Sequence, residues 1–167
     1  MCIRDSGQVQ EPDNLVAQTH LMMECLDNTL KLVDASMDDV LKLNVFYLGD
    51  GTAANWSEPA LIRAAHFTNP GPAATGIALQ SFAHPGLMTK IAVTAGVGSG
   101  EVPRDYAWPE NHWDWTEPLP YKHGNRFGNL IHLGGQVALD QQAQVLHPDN
   151  MAAVSYTHLT LPTICSV

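Results

Sequence analysis

The chain has 167 residues, with 17 acidic against 8 basic side chains, a net charge of −9 and 45% hydrophobic content. That mixture is globular rather than disordered. An acidic chain without a basic cluster argues against nucleic acid and against anionic membrane as main partners.

The first six residues, Met1-Cys2-Ile3-Arg4-Asp5-Ser6, back-translate to a sequence that resembles the end left by a transposase used in preparing sequencing libraries. Val154 to Thr163 back-translates to the same element in the opposite sense. Residues 1–6 and 153–167 are therefore expected to be non-native tails and are excluded from fold reasoning. The C-terminal tail has only a short apolar stretch, well below the ~20 residues a membrane span needs. Two of the three cysteines fall in these tails. Cys25 alone cannot form an internal disulfide, which fits a reducing, cytoplasmic compartment. Inside a helical pattern it is expected to be a buried, inert thiol.

From Asp13 to Ala35 apolar side chains recur at steps of three and four: Leu15, Thr19, Met22, Met23, Leu26, Leu30 and Val33. This is one face of a helix, with Gln18 and Lys31 off it. Val40 to Leu48 predicts a strand. Thr52 to Phe67 predicts a second helix, divided near Pro59, with Ala60, Leu61, Ala64 and Ala65 on its apolar side. Ala73 to Phe82 and Met88 to Ala95 predict two strands joined around His84-Pro85-Gly86. On the first of these, Thr75, Ile77 and Leu79 are expected to pack on the helices. Its other face, Ala74, Gly76 and Ala78, is small enough to admit a ligand or another subunit's backbone. On the second strand, Ile91 and Val93 share a face. Residues 97–117 read as a linker whose Trp108, Trp113 and Trp115 pack on a domain surface. Tyr121 to Val145 predicts a hairpin, with its best strand from Leu130 to Leu139.

The chain also carries a short internal repeat. Gly7 to Val16 aligns without gaps on Ala143 to Ala152, sharing Gln-Val and Pro-Asp-Asn, and both copies end where a helix would start. Residues 7–96 are thus expected to be a first repeat lacking its N-terminal hairpin, and 118–152 the start of a second. On that view the Tyr121–Val145 hairpin folds back onto the sheet edge that the missing hairpin leaves open.

The order helix, strand, helix, strand, strand, hairpin resembles the RidA/YjgF (endoribonuclease L-PSP-like) family. The residues that carry the resemblance are Gln18 with Leu26-Asp27-Asn28, Asp39-Val40-Leu41-Lys42 leading into Val45-Phe46-Tyr47, Pro72-Ala73-Ala74, His84-Pro85-Gly86, and Gly134-Gly135-Gln136-Val137 followed by Pro148-Asp149-Asn150. The resemblance implies an α+β fold of the chorismate-mutase-like kind, a mixed β-sheet with two helices packed on one face. It also implies a homo-oligomer, a trimer or a trimer-like assembly of repeats, with ligand pockets between units. The chemistry implied is hydrolysis of reactive enamines and imines such as 2-iminobutanoate and 2-iminopropanoate. In that chemistry a strand arginine grips the substrate carboxylate and a glutamate positions water or moves a proton. Here Ala74 occupies the arginine position and Ala92 the glutamate position. Lys90 offers charge from a different place. Tyr121 matches a pocket tyrosine, and the amides of Gly134, Gly135 and Gln136 are placed to meet a carboxylate or carbonyl oxygen. Candidate ligand-binding residues are therefore Tyr121, Gly134, Gly135, Gln136, Ala74, Gly76 and Lys90, with no catalytic residue among them.

Other constellations are weak. His66, His84, His112, His123, His132 and His147 show no metal-ligand spacing, so no metal is expected. Gly96 to Gly100 lacks the lysine and helix of a phosphate loop. No cofactor is implied. The expected partner is a small molecule bearing a carboxylate. Two alternatives stand beside the deaminase: a non-catalytic ligand-binding or structural tandem module, and the C-terminal part of a diphthine–ammonia ligase-like enzyme.

Overall fold

A computed structural model describes residues 7–109, 119–142 and 144–155. Its elements are α1 (Leu15–Lys31), β1 (Val40–Leu48), α2 (Ala53–Ala64), β2 (Ala73–Leu79), β3 (Thr89–Ala95), β4 (Asp105–Ala107), β5 (Gly124–Phe127), β6 (Leu130–Leu133) and α3 (Met151–Val154). The expected mixed sheet is present, in the order β2-β1-β3. β1 pairs parallel with β2 and antiparallel with β3.

Helix α1 starts where Asn14 caps it, its side chain accepting the Ala17 N–H at 3.0 Å. Met22, Met23, Leu26 and Leu30 are buried, and both methionines fill core. The helix ends at Lys31, one turn earlier than the periodicity predicts, so Val33 is exposed rather than buried. Gln18, placed off the apolar face by sequence, is instead wholly buried. Its amide nitrogen donates to the carbonyls of Glu11 and Gly86, and its oxygen accepts from the Met88 N–H. A buried amide is tolerated because loop backbone groups satisfy its own donor and acceptor, and it in turn gives the Met88 N–H its acceptor. Cys25 is half-buried.

Leu43, Val45 and Tyr47 of β1 face the helices, and register then fixes the neighbouring strands. Leu43 lies opposite Ala74, Val45 opposite Gly76, and Tyr47 opposite Ala78. The small residues of β2 therefore face the helices, and Thr75, Ile77 and Leu79 point to the other side, the reverse of the expectation. The physical reason is that both faces of β2 are apolar, so alternation alone does not say which one lies inward. Ile91 and Val93 lie opposite Val45 and Leu43 and face the helices as expected. The sheet's open face thus carries Lys42, Asn44, Phe46 and Leu48 from β1, with Ile77, Leu79, Lys90 and Ala92 beside them.

Helix α2 runs continuously through Pro59, which is buried inside it rather than dividing it. Its buried side is Pro59, Ala60, Arg63 and Ala64, while Leu61 is 61% exposed and Ala65 is exposed, contrary to expectation. A charged residue has taken a core-facing position.

The segment 97–117 is not a bare linker, because β4 lies within it and pairs with β5. Trp108 packs as expected. Its ring meets His123 edge-on at 4.6 Å, and the Lys122 ammonium lies 5.4 Å from its centroid. His112, Trp113 and Trp115 lie outside the described residues. The hairpin is β5–β6, and β6 stops at Leu133, not Leu139. After Leu133 the Gly134 N–H still bonds the His123 carbonyl, but the Gly135 N–H turns away to the Ala74 carbonyl at 3.1 Å. The hairpin does not extend the edge of the first sheet as expected. It forms its own sheet, β4-β5-β6, tied to the first through the Ala73–Lys122 bridge, the Gly135–Ala74 bond and an Asn125 side-chain bond to the Leu41 carbonyl.

The two aligned segments share a backbone conformation. Glu11 and Asp13 have φ of 47° and 60°, and His147 and Asp149 have 51° and 62°. Asn14 caps α1 as Asn150 caps α3, each side chain accepting an N–H three residues on at 3.0 Å.

Candidate functional site

The residues singled out by sequence fall into two groups. Ala74, Gly134, Gly135 and Tyr121 come together where β2 begins and the hairpin docks. A Cβ on Gly134 would stand 2.9 Å from the Ala74 carbonyl oxygen, and one on Gly135 would stand 2.7 Å from Thr75 Cγ2. Both positions therefore require glycine. Their N–H groups are bound by His123 and Ala74 carbonyls, so the protein itself uses the donors that sequence offered to a ligand. The exposed Gln136 side chain returns to the Gly134 carbonyl at 3.3 Å. Gly76 lies further along β2, beside the Tyr47 ring. Lys90 stands apart on β3, exposed, its ammonium 5.8 Å from the Phe46 ring centroid on the open face.

Ala74 and Ala92 do not converge. Leu43 pairs with Ala74 and Asn44 with Ala92, and successive β1 residues point to opposite faces. Ala74 packs on the core, and Ala92 is exposed on the open face.

Two cations that sequence reasoning passed over lie near the docking junction. Lys42 reaches from β1 to Thr75 Oγ1 at 2.6 Å and to the Leu133 carbonyl, joining β1, β2 and β6. Burial lowers its pKa from the ordinary lysine value. Arg63 is 6% exposed, and its Nη1 is buried without a hydrogen-bond partner. Burial lowers its pKa, with Tyr121 and Tyr47 acting against that. The Tyr121 hydroxyl is also buried and unpartnered. Burial pushes it up to about 12, and the neighbouring Arg63 charge offsets this only in part. Arg63 and Tyr121 are close enough to feel each other, yet no hydrogen bond of good geometry joins them. The Tyr121 ring also meets Phe67 at 6.1 Å. A signal for Arg63 existed in the sequence: with Ala60, Ala64 and Phe67 it falls at helical spacing on one face, where a charge is out of place.

Among the described residues no group of three His, Cys, Asp or Glu could hold a metal ion. No helix among them is long and apolar enough to cross a membrane.

Comparison with known proteins gives a family match. Its profile, described as Endoribonuclease L-PSP, matches residues 2–97, more than half of the chain. No curated protein matches. Among solved structures, the chain is similar to a protein of unknown function of the conserved Rid protein family from Yersinia pestis. That likeness has 26% identity and a TM-score of 0.49 over 56% of this chain and 71% of that one. It is also similar to a member of the YjgF/YER057c/UK114 family from Mycobacterium tuberculosis, with 20% identity and a TM-score of 0.44 over 50% of this chain and 68% of that one. On the family match, the chain belongs to the endoribonuclease L-PSP family, the RidA/YjgF proteins.

Proposed function

We propose that the chain is a small-molecule-binding module of this family whose first unit, built on β1–β3, does not hydrolyse imines. The observation that carries this reading is the pair Ala74 and Ala92. The positions that the family resemblance assigns to the carboxylate-gripping arginine and the proton-moving glutamate both end in a methyl group. A methyl can neither hold a carboxylate nor transfer a proton. The two also lie on opposite faces of the sheet, so substituting charged residues at both would not make them meet on one ligand. Any imine deaminase activity of the protein would then reside in a second unit.

A tandem arrangement supports that division. The matched backbone of Glu11-Pro12-Asp13-Asn14 and His147-Pro148-Asp149-Asn150 builds the same helix entry twice. The ligand class is a small molecule with a carboxylate. The assembly is a cytoplasmic homo-oligomer, a trimer or a trimer-like array of repeats, that encloses the half-buried Phe46, Leu48, Ile77 and Leu79 of the open face.

The test is a thermal-shift screen of small 2-oxo acids and aliphatic carboxylates on the full chain, with ammonia release from 2-iminobutanoate measured in parallel. A concentration-dependent rise in Tm without ammonia release is expected. Accelerated ammonia release rejects the non-catalytic reading. No stabilisation by any carboxylate rejects the ligand class.

A further inference from the structure

Among the described residues, no carboxylate answers the charge of Arg63. The residue is 6% exposed, and its Nη1 is fully buried without a partner. An arginine cannot escape this by losing a proton, and an uncompensated buried cation is strongly unfavourable. A structural role does not require it. Its neighbours on the helix face, Ala60, Ala64 and Phe67, are apolar, and leucine or methionine would suit that position better.

The groups beside the guanidinium are phenols. Tyr47 and Tyr121 both lie close enough to interact with the guanidinium, and the Tyr121 hydroxyl is itself buried and unpartnered. Phenols are neutral donors at pH 7. A planar guanidinium flanked by hydroxyls matches a planar oxyanion, which it can hold through two parallel N–H···O bonds. The sheet beneath offers an approach. On this face β2 presents only Ala74, Gly76 and Ala78, and Gly76 and Ala78 are exposed at the sheet's edge. A Cβ at Gly76 would stand 3.8 Å from the Tyr47 ring, an ordinary van der Waals contact, so the small residues here lie beside that ring.

We propose that Arg63, Tyr47 and Tyr121 form a binding site for a small carboxylate on the helix side of the sheet, reached across Gly76 and Ala78 of edge strand β2. This rests on the reading of the chain as a small-molecule binder, and it places the anion-binding cation on α2 rather than on β2. The guanidinium takes the two carboxylate oxygens, and the two hydroxyls donate to the remaining lone pairs. The site is separate from the open face that carries Lys90 and Ala92.

The experiment titrates the full, 15N-labelled chain with sodium acetate, chloride holding the ionic strength constant and acetamide serving as the neutral control. The Arg63 Nε–Hε resonance is followed together with the backbone amides of Gly134 and Gly135. The expected result is a saturable shift at Arg63 that acetamide does not produce and that Arg63→Gln removes. Tyr121→Phe, checked for an unchanged far-UV CD spectrum, is expected to weaken acetate binding about tenfold through loss of one hydrogen bond to a charged acceptor. If Arg63→Gln fails to fold, Tyr121→Phe decides: unchanged affinity overturns the site. Acetate that moves only Gly134 and Gly135 overturns the site but leaves the small-molecule reading standing. Acetate that moves none of these resonances overturns the site, and the small-molecule reading falls with it only if no carboxylate of the thermal-shift screen stabilises the chain.

Discussion

Gln18→Glu changes one buried atom pair and should be disproportionately costly. The wild-type amide nitrogen donates to the Glu11 carbonyl at 2.9 Å and the Gly86 carbonyl at 2.8 Å, while its oxygen accepts from the Met88 N–H at 2.8 Å. It thereby fastens the loop before α1 to the loop before β3, which the Asp13 N–H also holds through Gly86. Glutamate keeps the shape and the accepting oxygen but turns the double donor into an oxygen facing two carbonyls. Both carbonyls keep a backbone donor, Asn14 for Glu11 and Asp13 for Gly86, so the loss is two hydrogen bonds at about 0.5–1.5 kcal/mol each plus the repulsion of the new oxygen from both carbonyls. With the desolvated charge added, the loss at pH 8 should be about 3–5 kcal/mol, a large share of a domain's ~5–15 kcal/mol. Burial and the two carbonyls raise the introduced carboxyl's folded pKa above its unfolded value of about 4.3. The folded variant then binds its proton more tightly than the unfolded chain does. Its deficit should be smallest below about pH 4.3 and grow as the pH rises through the folded pKa. Urea unfolding followed by far-UV CD at pH 5 and pH 8, with wild type alongside, measures this. A variant as stable as wild type at pH 8, or a deficit equal at both pH values, would refute the role given to Gln18.

Three further expectations concern stability. Met23 is fully buried, so Met23→Ala should cost about 2–5 kcal/mol and lower Tm by about 4–20 °C, whereas Leu32→Ser, at a residue 85% exposed, should stay within about 0.5 kcal/mol of wild type. Asp39 is buried, which pushes its pKa up, but bonds from the Gly100 N–H, the Ser36 N–H and the Ser36 hydroxyl outweigh this and hold it below the ordinary value. Its stabilising contribution is present above the unfolded pKa of about 3.9 and is lost as pH falls through the lower folded value. Asp39→Asn should therefore cost about 1–3 kcal/mol at pH 7, and the gap to wild type should close below about pH 4, as read by thermal unfolding against pH. Lys42→Met keeps the aliphatic stem but removes the bonds to Thr75 and Leu133, so the Gly134 and Gly135 amides should exchange with solvent about tenfold faster while β1 amides change little. Uniform acceleration across both sheets would show that Lys42 acts on global stability alone.

The elements that sequence located well are those whose signal is local. The periodicity from Leu15 to Leu30 and the β-rich run from Val40 to Leu48 needed no knowledge of their neighbours. Failures arose where tertiary contacts decide. Thr75, Ile77 and Leu79 were expected inward because they are larger than Ala74, Gly76 and Ala78, but pairing with Leu43, Val45 and Tyr47 turns the small residues under the helices. Gln18 is polar and so was read as outward, and Arg63 was passed over, although both sit at core-facing helical positions. Strand β6 ends at Leu133 because Gly135 finds its acceptor on another sheet, at Ala74, which no local pattern announces. Of the candidate site, the naming of Tyr121, Gly134, Gly135 and Ala74 was legible through the family's motif order, but their meeting at the start of β2 was not. The engagement of the glycine amides by the protein's own carbonyls was not.

The most direct test of the account is ammonia release from 2-iminobutanoate by the full chain under initial-rate conditions, corrected for the buffer reaction and repeated with Ala92→Glu. With Ala74 and Ala92 on opposite faces, both proteins should hydrolyse the imine no faster than buffer. Hydrolysis by the wild-type chain, or its appearance in Ala92→Glu, would contradict the claim that this unit binds without catalysing.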